Sequence, residues 1–197
     1  ILICGSDKFS SIGNKKSAGT KLVCFDSFFN NPGVYEVDMC TPMKKIINEI
    51  GGGFKEPIKA LQIGGPLGGV VPIKEVEKLN LDFQEFTDAG FMLGHAGIVS
   101  IPKDFNMVEY IHHLFEFSAE ESCGKCFPGR LGSYRGKEMF DQAVNKSKKI
   151  PLKLLNELLV TMKKGSLCAL CGAIPVPIMN ILKYFSDEMK SDIVQEN

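Results

Sequence analysis

Two pairs of cysteines share one spacing: Cys123 and Cys126 in "ESCGKCFPGRLG", and Cys168 and Cys171 in "GSLCALCGAIP". A C-x2-C step lets both sulfurs reach one metal ion or one cluster, and two such steps can together supply four thiolates. The spacing alone admits a Cys4 zinc site, an iron-sulfur cluster, or free and buried thiols. Gly129 stands where the rhythm of the first pair would place a third cysteine. Gly124 and Gly172 are read as leaving backbone amides free to approach sulfur, while Lys125 and Arg130 would offset the negative thiolates and raise a reduction potential. The plainer reading has both cations simply exposed, and Glu120 and Glu121 oppose them in charge.

The remaining chemistry-bearing residues read as structural. His112 and His113 sit beside an apolar helical stripe with no acidic or cysteine partner at metal spacing, so surface or packing roles are expected. His95 in "MLGHAGIVS" lacks an orienting partner, and a structural role is favoured. Cys4, Cys24 and Cys40 follow no pairing rule and are expected as buried small hydrophobes. No Ser-His-Asp or Cys-His arrangement is visible.

The 197 residues suffice for two small units, with a hydrophobic fraction of 44% and a charged fraction of 23%. No stretch approaches the roughly 20 apolar residues of a membrane span. Lys plus Arg and Asp plus Glu both number 23, so no basic face for nucleic acid is expected. The lysine pairs at 44–45, 148–149 and 163–164 read as solvated helix faces. Seven cysteines, an odd count, without a secretory pattern suit a reducing compartment, and a cytoplasmic location is expected. The opening "ILICGSDKFSSIG" begins with Ile and reads as part of something longer.

The elements that must position these groups fall into two styles. Strands at Lys21–Phe25 and Gly33–Val37 flank the turn "NNPG". Thr41 is read as an N-cap with Pro42 at the first helical position, before a helix on Met43, Ile46, Ile47 and Ile50 that Gly51 to Gly53 stop. Strand, strand, helix opens a β-grasp unit. "KALQIGGPLGGVVP" reads as a strand entering a glycine-rich turn, since it lacks the residue order of a phosphate-binding loop. A final strand, "GIVSIP", spans 97 to 102. Four amphipathic helices follow: one capped by Asn106, with Met107, Ile111, Leu114 and Phe115 as its stripe; Arg130 to Lys146, weakened by Gly132 and Gly136; one opened by Pro151, with Leu152, Leu155, Leu158, Leu159 and Met162; and "PVPIMNILKYFSDEM", with Ile178, Ile181, Leu182 and Phe185. Short connections make these a small bundle.

The motifs resemble a known family. "ESCGKCFPGRLG" resembles the signature E-S-C-G-x-C-x-P-C-R-x-G of the flavoprotein subunit of NADH:quinone oxidoreductase (complex I), shared with the diaphorase subunits of NAD-linked hydrogenases and formate dehydrogenases. "SLCALCGAIPVPIMNIL" is similar to that family's second motif. "SAGTKLV", "NNPGVYEV" and "ALQIGGPLGGVVP" look like its soluble-ligand-binding β-grasp domain (SLBB, ubiquitin-like), and "GSDKFSSIG" like the exit from its flavin domain. Glu121, Ser122, Gly124, Pro128, Arg130 and Gly132 also match the signature.

The resemblance implies an α+β chain: residues 1–19 as the end of an upstream flavin-binding domain, 20–102 as the β-grasp domain, and 103–197 as a four-helix iron-sulfur domain. It implies an NADH dehydrogenase subunit whose NADH and FMN sites lie in parts absent from this chain, with single electrons leaving FMN through a 4Fe-4S cluster. The implied partners are other subunits of a redox complex, namely a thioredoxin-like 2Fe-2S subunit and a large iron-sulfur subunit, without nucleic acid or membrane insertion. Cys123, Cys126 and Cys168 match three of the family's four ligands, and the fourth falls at Gly129. Cys171 occupies a position where the family has glycine, so the expected set is Cys123, Cys126, Cys168 and Cys171, with Cys171 as a relocated ligand. The rivals are a Cys4 zinc-stabilised docking module that has lost the electron path, and a metal-free interaction module with free thiols.

Overall fold

The computed structural model describes residues 1–3 and 5–194, so the reading of Cys4 lies outside the described residues. The described residues fall into two compact units, Ile1–Lys103 and Asp104–Asn197.

The first unit opens with the short helix α1 (Ser6–Ser10) and then the hairpin of β1 (Thr20–Phe25) and β2 (Gly33–Asp38), paired from Thr20 opposite Asp38 to Phe25 opposite Gly33. Its turn is tied down by Asn30 and Asn31, whose backbone N–H groups donate to Gly53 and Gly51 (both 3.0 Å). The expected helix is present but altered. A single α-turn, α2 (Met43–Lys45), passes into a five-residue π-turn at Ile46–Ile50, closed by the Gly51 N–H on the Ile46 carbonyl. Thr41 is not its cap, because the backbone at 40–41 pairs with Leu81 and the N-cap falls on Pro42.

Strands β3 (Ile58–Ile63) and β4 (Gly69–Pro72) flank the glycine-rich turn. At Gly68 a Cβ would lie 1.8 Å from the Ile63 carbonyl oxygen, so the glycines serve the turn itself. Two helices escape the sequence reading, α3 (Ile73–Val76) and α4 (Phe83–Asp88). Asp82 caps α4, accepting from the N–H groups of Gln84 (2.7 Å) and Glu85 (3.0 Å). Strand β5 (Gly97–Pro102) completes a mixed sheet of order β2-β1-β5-β3-β4, in which β5 runs parallel to β1 and antiparallel to β3.

Alternation sends Val23 and Phe25 into the core and leaves Cys24 exposed, which corrects its reading as a buried residue. Cys40 is partly buried with φ +67°, and its thiol faces Asp82 at 3.5 Å. His95 has the structural role expected of it, its Nδ1 accepting from the Gly97 N–H at 3.1 Å.

The second unit comprises α5 (Met107–Glu121), α6 (Phe127–Val144), β6 (Ile150–Pro151), α7 (Leu152–Gly165), α8 (Ala169–Ala173), α9 (Pro175–Tyr184), a 3-10 turn at Ser186–Met189 and β7 (Ile193–Val194), which pairs with β6. Asn106 caps α5, accepting from the Val108 N–H at 2.8 Å. Helix α6 packs on α5 and α7, and α9 packs on the same two helices. Ile111, Leu114, Phe115, Phe140, Leu155, Leu159, Met162, Ile178 and Ile181 fill the space they enclose. Gly132 and Gly136 set the packing of α6: a Cβ at Gly136 would lie 2.1 Å from the Phe115 ring, and one at Gly132 would lie 2.8 Å from Met162. The residues that weaken the helix in isolation are those that let its neighbours approach. Among the described residues, no helix is long and apolar enough to cross a membrane.

Candidate metal centre

Both cysteine pairs sit where a loop enters a helix. Cys126 is the N-cap of α6 and Cys168 the N-cap of α8, each with extended backbone, while Cys123 lies three residues earlier in the loop after α5 and Cys171 lies inside α8. Helix starts of this kind aim unpaired N–H groups at a nearby anion. The Cys126 thiol is held below its usual range by the N–H groups of Leu167 and Gly129, against the opposing effect of burial, with help from its own N–H and the Ser166 hydroxyl. A thiol so placed is prepared to act as thiolate, the form that binds metal.

Cys171 has the opposite environment. It is 2% exposed, and burial pushes its thiol up, while the hydroxyls of Ser118 and Ser122 pull the other way and the nearby Cys168 and Cys126 sulfurs add to the rise. Ser118 Oγ lies 3.8 Å and Ser122 Oγ 4.0 Å from its sulfur. A buried thiolate beside other sulfurs of like charge is unfavourable without a cation to compensate it, so a metal centre would relieve the position of Cys171.

Gly129 lies beside two of these sulfurs. A Cβ built on it would stand 3.1 Å from Cys126 Sγ, 3.1 Å from Cys171 Sγ and 3.3 Å from Cys171 Cβ. The two sulfurs therefore lie within twice that distance of each other, beside a position that carries no side chain. Cys126 and Cys171 are thus brought together, and exposed Cys168 lies near Cys171. Cys123 is exposed in the adjoining loop, beside Ser122. Among the described residues, no three His, Cys, Asp or Glu side chains close on one point tightly enough for a single ion.

Residues 109–192 match the family model described as the NADH-ubiquinone oxidoreductase-F iron-sulfur binding region. The chain carries that family's iron-sulfur binding region. It is 33% identical over 196 residues to the NADP-reducing hydrogenase subunit HndC of Solidesulfovibrio fructosivorans, covering 98% of this chain and 40% of that protein. It is 30% identical over 199 residues to the mitochondrial NADH dehydrogenase [ubiquinone] flavoprotein 1 of Dictyostelium discoideum, covering 99% of this chain and 42% of the relative. The chain therefore spans less than half the length of these relatives. A crystal structure of an air-oxidised NAD+-reducing [NiFe]-hydrogenase superposes on the whole chain with a TM-score of 0.87 at 22% identity, covering 34% of that chain and showing a shared fold.

Several finer expectations change within the iron-sulfur binding region. The amides of Gly124 and Gly172 are not free: the first donates to Ser122 Oγ at 3.4 Å and the second to the Cys168 carbonyl at 3.2 Å. The amides that serve sulfur belong to Leu167 and Gly129. Lys125 is exposed, whereas Arg130 reaches back to the Gly124 carbonyl at 3.4 Å and covers the Phe127 ring at 5.0 Å, bracing the loop that bears Cys123. His112 does have an acidic partner, Asp141 at 2.6 Å, 29 residues away on α6. Sequence reasoning misses Ser118 and Ser166 because their sulfur contacts join separate segments; only the position of Ser166, two residues before Cys168, hints at a role.

Proposed function

We propose that this chain is the electron-relay portion of an NADH dehydrogenase flavoprotein subunit, in which Cys123, Cys126, Cys168 and Cys171 hold a 4Fe-4S cluster. The observation that carries the proposal is the approach of Cys126 Sγ and Cys171 Sγ to Gly129, each 3.1 Å from where its Cβ would stand. A cysteine at 129 would project its sulfur into the region Cys171 already serves. Loss of one thiol and gain of the other would keep four sulfurs in the motif pair, and the family's ligand set would become two C-x2-C pairs. The residues fit the cluster: the N–H groups of Leu167 and Gly129 favour thiolate at Cys126, and Cys171 Sγ lies within about 6 Å of Cys126 Sγ across the Gly129 position.

When bound, the cluster supplies one-electron transfer; the chain fixes its position and tunes its potential through N–H and hydroxyl contacts. In the complete protein, upstream domains would bind NADH and FMN, and electrons would pass to a thioredoxin-like 2Fe-2S subunit or a large iron-sulfur subunit at the cytoplasmic face of a membrane complex. Residues 1–19 would end the flavin domain. Residues 20–102 would form a β-grasp domain, supported by the sheet order with its parallel central pair. Residues 103–197 would form a four-helix bundle, supported by the closed contacts of α5, α6, α7 and α9.

Anaerobic reconstitution of the wild-type chain and of Cys171→Ser tests the ligand set. The wild type is expected to take up iron and sulfide in equal amounts and the variant to lose at least the fourth iron. A variant with a full cluster signal would remove Cys171 from the set, and zinc uptake without sulfide would replace the relay with a structural site.

A further inference from the structure

We infer that Ser118 is a positioning residue for the relocated ligand: its hydroxyl orients the Cys171 sulfur and donates to it as thiolate, raising the reduction potential of the cluster. The inference rests on the proposed cluster reading and concerns a residue that the cysteine motifs do not include.

Ser118 is fully buried on α5, three residues before Glu121 ends the helix. A serine inside a helix commonly donates to the carbonyl four residues earlier. Ser133 does so here, to Gly129 at 2.6 Å, as does Thr161, to Glu157 at 2.8 Å. The Ser118 hydroxyl instead faces across to α8, 3.8 Å from Cys171 Sγ. In the thiol state either atom can donate, but a metal-bound thiolate has no proton, and the serine becomes the donor. Cys171 is the most enclosed of the four sulfurs, so a neutral donor there replaces hydration that burial has removed. Reduction adds one negative charge to the cluster and its ligands. A donor to a ligand sulfur stabilises the reduced form more than the oxidised form, and the potential rises.

Ser122 is the weaker neighbour. Its hydroxyl lies 4.0 Å from the same sulfur and also accepts from the Gly124 N–H, which fixes the loop. Ser118 has the shorter approach and the fuller burial, and it belongs to a long helix, so its position is set by core packing beside Phe115 and Ala119.

The test is a dithionite redox titration of the reconstituted chain, followed by EPR, for the wild type, Ser118→Ala and Ser118→Thr. Ser118→Ala is expected to keep its iron and sulfide while the ratio of reduced to oxidised cluster at a fixed potential falls roughly three- to tenfold, tenfold being about 59 mV for one electron. Ser118→Thr retains the hydroxyl and is expected to hold the wild-type potential. A loaded Ser118→Ala with an unchanged potential overturns the role of Ser118 and leaves the cluster reading standing. A wild-type chain that binds no sulfide overturns both. Should Ser118→Ala lose its cluster, a loaded Ser118→Thr decides: a wild-type potential supports the inference and a lowered one overturns it.

Discussion

At the scale of single residues, the proposed exchange of a ligand between positions 129 and 171 accounts for the second C-x2-C pair. Cys126, Cys168 and Cys171 were legible in the sequence because C-x2-C spacing expresses a local geometric need. The approach of Gly129 to the sulfurs of Cys126 and Cys171 was not, because it joins separate segments. The same limit hid Ser118, which meets Cys171 53 residues later in the chain. The geometry predicts that the two positions can trade sulfur. The double variant Gly129→Cys, Cys171→Gly should bind as much iron and sulfide as the wild type, measured by metal and acid-labile sulfide analysis. Gly129→Cys alone should be less stable, by on the order of 1–3 kcal/mol from overpacking, because its Cβ would press on two sulfurs at once. A double variant without cluster, beside a loaded wild type, would show that the two positions do not serve the same volume.

At the scale of elements, the apolar stripes placed most of the helices. Where the reading failed, pairing between distant segments had overridden local signals. The cap assigned to Thr41 yielded to backbone pairing with Leu81, and α4 was missed although Asp82 precedes Glu85 at the spacing of a cap. Gly136 looked like a weakness in α6 and proves to be the seat of the Phe115 ring. Gly136→Ala should therefore lower stability despite the gain of roughly 1 kcal/mol in helix propensity, because a Cβ 2.1 Å from a buried ring costs about 1–3 kcal/mol. Denaturant unfolding would measure the balance, and a stabilised variant would contradict the packing described.

The same helix pair carries a salt bridge between Lys137 and Glu116 at 2.9 Å. The hydrogen bond and charge of Lys137 hold the Glu116 carboxyl below its usual range, and Glu116 in turn holds the Lys137 ammonium above its own. The lowered carboxylate contributes stability above its unfolded value, about 4.3, and loses it as pH falls through the folded value; the raised ammonium contributes below about 10.4 and loses it as pH rises through its folded value. Both groups are partly solvated, so the effect is small and screened by salt. The wild type should melt slightly above Lys137→Met near neutral pH, and the gap should close in acid. A gap that persists at low pH would assign the difference to packing of the lysine stem.

At the scale of the whole molecule, the balanced charge and the cysteine pairs fit a module that holds a redox group. The division at 103 separates a sheet-based unit from the helices that carry the cysteines, so the candidate site is built within one unit. The change from alternating to helical periodicity at Pro102 is the sequence feature that lies beside this division. The chain covers 40% and 42% of these relatives, and the central claim for its residues concerns the four thiolates. Iron, acid-labile sulfide and zinc measured per chain after anaerobic reconstitution, with an EPR spectrum of the dithionite-reduced protein, test that claim most directly. The account predicts close to four irons and four sulfides and the signal of a reduced cluster. Zinc bound without sulfide, or no metal at all, would contradict it.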